Sequence, residues 1–388
     1  MELILKQYDI PLLRFSATND SSTPEIEVHW INEDQRHLLP LDMELSPEGI
    51  SRWMRRRTIP RNRAYVNRLL AKCGLNANRP MGILALCKGL SVDDSYWVIE
   101  EGFEGTFEKY NLFENRFSEV LALIAFTGYG SRNRSSLASS PEFTTNGMLP
   151  KCWRRISGKV TLYKGGTDGS YNTGAEPYCE YYAAQVAAAM GIDAIPYGLS
   201  QWKGRLCSTC ELFTDIDHAY MPIGNLVQRG GFDAVAAYYE NLGEPFQKAF
   251  RDMLVFDAVI CNTDRHYGNF GFMIDNKTNT IAAPAPLFDH GNSLFNQAGP
   301  EDYESPEAFQ QYIDTLVPCV YDDFFATAKR FMTDENREQL RKLLGFRFKR
   351  HVRYNLPPKR LKLMEEQVRK RAMRLLKREL ENANISHI

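Results

Sequence analysis

Between Gln247 and Cys261 the chain reads as one helix-length run that is apolar on several sides, through Phe250, Met253, Leu254, Phe256 and Ile260. A helix of that kind has to be buried. It breaks at once into Asn262-Thr263-Asp264-Arg265-His266-Tyr267-Gly268-Asn269, so this polar octapeptide leaves directly from a core. Phe270 to Ile274 then read as a strand, Asn276-Lys277-Thr278-Asn279 as a turn, and a second run ends in Leu287-Phe288-Asp289-His290-Gly291. The order is buried helix, D-x-x-x-x-N, hairpin, D-x-G. That order constrains the chain more than any other feature, because each polar group is fixed to the end of a core element.

The upstream region supplies a sheet. Phe143 to Gly166 reads as strand, glycine-containing turn, strand, Ser157-Gly158 turn, strand, with Lys164 at the end of the third strand. A glycine-rich linker follows, and Pro177 opens a helix that runs through Met190 and is closed by Gly191. On it Glu180, Ala183, Ala184 and Ala187 share one face, which lets the helix lie close to the sheet. A second strand pair with Gly204 at its turn carries the chain from Leu199 to Phe213. The carboxy-terminal helix places Leu361, Met364, Val368, Ala372 and Leu375 on one stripe, so its basic residues are expected outward.

Residues before 135 mix strand-like runs (Ile26 to Ile31, Tyr96 to Glu100) with helices expected over Pro60 to Cys73 and Phe113 to Phe126, then an exposed loop from Gly128 to Ser140. No chemistry attaches to them. The expected organisation is an accessory region at 1–135, a sheet-bearing lobe at 136–213 and a helical lobe at 214–388. No repeat of 20 to 50 residues is visible, which excludes solenoids and propellers.

Composition adds exclusions. Hydrophobic residues at 44% and charged residues at 24% are ordinary for a folded chain and exclude a disordered or coiled-coil reading. The longest apolar stretches, such as Val120 to Phe126, fall far short of a bilayer span of about 20 residues. The amino terminus lacks the pattern of a secretory signal, so a cytoplasmic location is expected, with the eight cysteines as free thiols. Net charge is -1, but sixteen Lys or Arg stand against three acidic residues between Asn336 and Arg378. A second basic cluster runs from Arg52 to Lys72. Such patches steer anionic partners or are solvated helix faces, and direct nucleic-acid contact by the carboxy-terminal helix stays open.

Phosphoryl transfer needs metals on the phosphates, a cation on the inner phosphates and a carboxylate that orients the acceptor hydroxyl. Asp264 and Asn269 have the spacing for the last and for one metal ligand, and Asp289 stands where it would bridge a metal to the phosphates. Lys164 supplies the cation and Glu180 its partner. Glu176 competes for that place, but it precedes Pro177 and is expected outside the helix. An isolated D-x-x-x-x-N is more often a capped turn. The ordered set of lysine, glutamate, D-x-x-x-x-N and D-x-G is what carries the assignment.

These strings, TDRHYGNFG and LFDHG with TNGMLPK and LYKGG upstream, resemble the HipA-like serine/threonine kinases. The DRHxxN string is also similar to the catalytic loop of phosphatidylinositol kinases, to which that family is related. The resemblance spans residues 140 to 300. It implies an α+β, two-lobed protein-kinase-like fold, with an antiparallel-sheet N-lobe carrying one key helix and a mainly helical C-lobe. It implies ATP and Mg2+ as cofactors, Asp264 as catalytic base, Asn269 and Asp289 as magnesium ligands, and Lys164 on the ATP phosphates. Gly147 to Lys151 would be the loop over the nucleotide, and Glu211 to Phe213 the segment against adenine. The family's loop carries a self-phosphorylated serine just upstream, a region occupied here by Thr144 and Thr145. The implied partners are a protein substrate with a Ser or Thr acceptor and a small DNA-binding antitoxin; no membrane is involved. Two further readings stay open, a small-molecule or lipid kinase on the same fold, and a non-catalytic nucleotide-binding or DNA-associated module.

The remaining candidates have plainer readings. Cys207-x-x-Cys210 has no second pair to complete a zinc site. His266 would position the loop by bonding a backbone carbonyl or Asp289, and His290 would pack against its lobe. Asp257 would cap the helix or serve the core as a hydrogen-bonding group.

Overall fold

The computed structural model describes residues 1–18, 24–130 and 140–385, with side chains described through residue 377. The chain divides into two compact units. One comprises Met1–Lys164, Glu211–Met221 and Phe272–Ala282; the other comprises Gly165–Cys210, Pro222–Gly271 and Ala283–Ile388.

In the first unit, strands β1 (Glu2–Gln7), β2 (Ile10–Ala17), β3 (Ile26–Ile31) and β4 (Tyr96–Glu100) form an antiparallel sheet of order β3-β2-β1-β4. Register pairs Leu3 with Phe15 and Leu5 with Leu13 and Val98. Alternate residues of β1 are buried, as the two-residue period of a strand requires. Helix α1 (Pro47–Arg56), capped by the Ser46 side chain, adds Ile50, Trp53 and Met54 to the same core.

Helix α2 spans only Val66–Lys72, shorter than the expected Pro60 to Cys73. Tyr65 sits at φ 60, and Arg63 donates its N–H to the carbonyl of Pro60 in a turn, so the helix cannot start earlier. Helices α3 (Pro80–Cys87) and α4 (Phe107–Tyr110) follow. Helix α5 (Glu119–Thr127) also starts later than expected, because the Ser118 hydroxyl accepts from Leu121 N–H and sets the cap. The loop expected from Gly128 to Ser140 lies outside the described residues from 131 to 139.

Strands β5 (Lys151–Ile156) and β6 (Lys159–Gly165) pair antiparallel about Ser157-Gly158, both at positive φ as a two-residue hairpin turn demands. The first of the three strands expected from Phe143 does not form. Pro141–Phe143 is a single 3₁₀ turn, and Arg63 takes the carbonyl of Glu142, which a ladder would have needed. A three-stranded sheet of Thr280–Pro284, Gly271–Asp275 and His218–Pro222, in that order, completes this unit. It is stitched to the amino-terminal part by Gln7 Nε2 donating to Asn276 O and Asn279 Nδ2 donating to His37 O and Leu39 O.

The second unit opens with α6 (Glu176–Met190), closed by Gly191 at φ 80. Glu176 is its first residue, not outside it, since Ala175 already has helical dihedrals. The hairpin of β7 (Gly198–Trp202) and β8 (Arg205–Glu211) turns at Lys203-Gly204. Helices α7 (Ile223–Leu226), α8 (Gly231–Leu242), α9 (Phe246–Ile260), α10 (Pro306–Asp314), α11 (Phe324–Phe331), α12 (Asp334–Arg341) and α13 (Pro358–Ile385) make up the rest. The expected stripe of α13 is buried. Among the described side chains Arg371 departs from the outward pattern: it is buried, with its guanidinium over the rings of Phe324 and Phe325. Among the described residues no helix is long and apolar enough to cross a membrane.

Candidate active site

A helix end leaves its last carbonyls without intrahelical donors. At the end of α9, Cys261 turns to φ 53 and donates its N–H to Asp257 O, Arg371 Nε donates to Ala258 O at 2.7 Å, and Leu294 N–H donates to Ile260 O at 2.7 Å. Donors from distant parts of the chain thus fix where the polar octapeptide begins.

The Asp257 carboxylate is fully buried and accepts from Asn262 Nδ2 at 3.1 Å, Arg265 Nε at 2.9 Å and Arg265 Nη2 at 3.1 Å. It is the core hydrogen-bonding group expected. Arg265, 1% exposed, uses its other donors on the backbone: Nη1 to Asn269 O at 3.1 Å and to Phe288 O at 2.6 Å, while Nη2 lies 3.0 Å from His290 Nδ1. Burial opposes the guanidinium charge, but Asp257 outweighs it and holds the pKa of Arg265 above its ordinary value. One side chain therefore joins the D-x-x-x-x-N loop to the D-x-G segment.

Within that frame Asn269 Nδ2 donates to Asp264 O at 3.2 Å, which leaves the amide oxygen as its acceptor. Asn292 Nδ2 donates to Asp264 Oδ2 at 2.8 Å, and its own Oδ1 accepts from Asn296 Nδ2 at 2.8 Å. Asp289 stands at φ 56, its N–H donating to the Tyr197 hydroxyl. Burial first, and then the charge of Glu180, push the Tyr197 phenol well above its ordinary range, so it stays protonated. The Glu180 carboxylate accepts the N–H of His290 at 2.7 Å and ties α6 to the D-x-G turn. His290 is buried edge-on against Phe256, the packing role expected. His266 is exposed, and its Nδ1 accepts from Gly268 N–H at 3.0 Å; the expected bond to a carbonyl or Asp289 is replaced by this local one.

No protein-family model matches the chain. Over 143 residues it is 27% identical to the serine/threonine-protein kinase CtkA of Helicobacter pylori, covering 33% of this chain and 43% of that protein. The chain thus spans under half the length of this relative. The crystal structure of the Helicobacter pylori proinflammatory kinase CtkA overlaps 61% of this chain and 93% of its own, at 16% identity and a TM-score of 0.48. A structure of the Shewanella oneidensis toxin–antitoxin system of HipA, HipB and operator DNA overlaps 97% of each chain at 13% identity, with a TM-score of 0.52. The fold is that of the HipA-like kinases. It is the α+β fold expected, and the resemblance to this family holds.

In the HipA-like fold the second unit brings together Asp264, Asn269, Asp289, Glu180 and His290. His266, Cys207 and Cys210 also lie in the second unit, whereas Lys164, the loop from Gly147 to Lys151, the segment from Glu211 to Phe213, Thr144 and Thr145 belong to the first. Lys164 is buried on β6, opposite Lys151 in register. Lys151 Nζ donates to Asn146 O at 2.9 Å and lies over Gly147, where a Cβ would come within 2.3 Å of it. Glu211 is exposed and paired with Lys159, and Phe213 meets Tyr220 edge-on. The Thr144 hydroxyl is buried and donates to Leu90 O, whereas Thr145 is half-buried and donates to Pro141 O. Neither Cys207 nor Cys210 is in a disulfide, and the other six cysteines are not either. Among the described residues no group of three or more His, Cys, Asp or Glu side chains is placed to hold a metal.

Asn292, Tyr197 and the reach of Arg265 escaped the sequence reading. Asn292 had one visible sign, its place three residues after Asp289, but nothing local pointed it at Asp264.

Proposed function

We propose that the chain is an ATP- and magnesium-dependent kinase acting in the cytoplasm on Ser or Thr hydroxyls of proteins. The observation that carries this is the Arg265 guanidinium, which binds the backbone of Asn269 and of Phe288, next to Asp289, while Asn292 orients the Asp264 carboxylate. Asp264 would accept a hydrogen bond from the acceptor hydroxyl and receive its proton. Asn269 and Asp289 offer one amide oxygen and one carboxylate. That set fits magnesium, which takes hard oxygen ligands and completes its shell with water and phosphate. The ion would neutralise charge on the transferring group. Lys164, with Glu180 as its counterion, would contact the inner phosphates; Gly147 to Lys151 would cover them, and Glu211 to Phe213 would meet the base.

Thr145 is the better-placed self-acceptor, since the Thr144 hydroxyl is buried. By likeness to the HipA, HipB and DNA assembly, the proposed partner is a small DNA-binding antitoxin, with the exposed Lys362, Lys370 and Lys377 of α13 available to nucleic acid.

The test is transfer from labelled ATP by the wild type, Asp264→Asn and Asp289→Asn. Both variants should lose about 10²-fold or more. Equal labelling of all three defeats the proposal, and label recovered in an extracted metabolite or lipid instead of a protein hydroxyl moves it to the small-molecule reading.

A further inference from the structure

Two consecutive residues of the amino-terminal region hold the segment from Glu142 to Lys151. Arg63 Nη1 donates to Glu142 O at 2.6 Å and to Thr145 O at 3.2 Å. Its Nη2 donates to Lys151 O at 3.0 Å and to the Glu142 carboxylate, and the N–H of Ala64 donates to Met148 O at 3.0 Å. Carbonyls 142, 145, 148 and 151, every third one, are thus drawn to a single dipeptide. The ion pair is closed from solvent, each side chain being 1% exposed. The second carboxylate oxygen of Glu142 accepts from Trp153 N–H at 2.8 Å, so the clamp is anchored to β5.

The polarity of the loop follows. In a trans peptide the C=O of one residue and the N–H of the next point in opposite directions. The bonds at Thr145 and Met148 therefore turn the N–H groups of Asn146 and Leu149 away from Arg63, at a tip where Asn146, Gly147 and Met148 are exposed. Each of these two N–H groups is a donor that a phosphate oxygen can accept from. Resting on the reading that this loop meets the phosphates, we infer that Arg63, held by Glu142, is a positioning residue that orients these peptides before the nucleotide arrives. The amino-terminal region thereby acts on the nucleotide without touching it.

Arg63→Lys keeps the charge opposite Glu142 but loses the planar fork that serves several carbonyls at once. Glu142→Gln keeps the shape and sets an amide donor against Arg63; it provides the same readout if the first variant does not fold. Backbone hydrogen exchange over 144–151 without nucleotide should speed up about tenfold, and the KM for ATP should rise about tenfold with kcat changed far less. Folded variants with unchanged loop exchange and unchanged KM overturn the inference. Faster exchange in the variants, combined with no magnesium-ATP binding by the wild type, overturns the positioning role through the kinase reading, while the hold on the loop would stand.

Discussion

Asp257→Asn is the most informative single change, because it alters one buried charge and almost no volume. The carboxylate accepts three hydrogen bonds, two of them from Arg265. An amide there turns a donor toward a donor and leaves the guanidinium, 1% exposed, without its counterion. Removing one partner of a buried pair costs about 3 to 5 kcal/mol, a large part of a total stability of about 5 to 15. For a unit of this size each kcal/mol moves the melting temperature by about 2 to 4 °C, so a fall of about 6 to 20 °C is expected in calorimetry. Phosphoryl transfer should fall as well, about 10²-fold, since a guanidinium that shifts by an ångström carries the backbone of Asn269 and Phe288 with it. The double variant Asp257→Asn with Arg265→Met separates the two effects. Taking out both charges should recover much of the stability, whereas activity should stay low because both carbonyls lose their donor. A single variant melting within about 2 °C of wild type, or a double variant with wild-type turnover, would refute the assignment of Arg265 as the tie between the two segments.

Asn292→Ala should lower kcat by about 10- to 100-fold, the worth of one hydrogen bond to a charged group, with a melting temperature close to wild type; unchanged turnover would show that Asp264 needs no orienting partner. The Asp93 carboxyl is pushed up to about 6, by burial first and by the charge of Asp94 second. Its folded pKa lies above the ordinary 3.8, so the native state binds the extra proton and stability falls as pH rises from about 4 to about 6. Asp93→Asn, which keeps the acceptor for Ser91, should match wild type in urea near pH 4 and exceed it by about 1 to 3 kcal/mol at pH 7.5; an equal gap at both would contradict the shift.

What the sequence made legible was local. The proline-first, glycine-last α6, the stripe of α13, the Ser157-Gly158 hairpin and the order from α9 to D-x-G are each written within a few turns of chain. They are found where they were expected, except that α6 starts one residue earlier, at Glu176. The expected helix from Pro60 failed because its first residues answer to partners some 80 positions away. Arg63 counted there as one more residue of a basic cluster, and its pairing with Glu142 has no local sign. Separations of 28 and 92 positions likewise hid Asn292 from Asp264 and Tyr197 from Asp289.

Arginine explains most of what was hidden. A buried loop carries carbonyls that no helix or ladder satisfies, and each must find a donor. Arginine has five N–H donors in a rigid fork, so one side chain can serve several separated carbonyls at once; the three donors of lysine sit on one nitrogen and reach only acceptors gathered around that point. Arg57 serves Gly89 O and Tyr96 O as well as Asp94, Arg63 the loop after Glu142, Arg265 the loop after α9, Arg360 the carbonyls of Phe295 and Asn296, and Arg371 the end of α9. Both basic clusters therefore overstate the charge available to a partner, because part of each is consumed holding irregular backbone. The lysines of α13 that remain in solvent are a better measure of that surface than the count along the sequence.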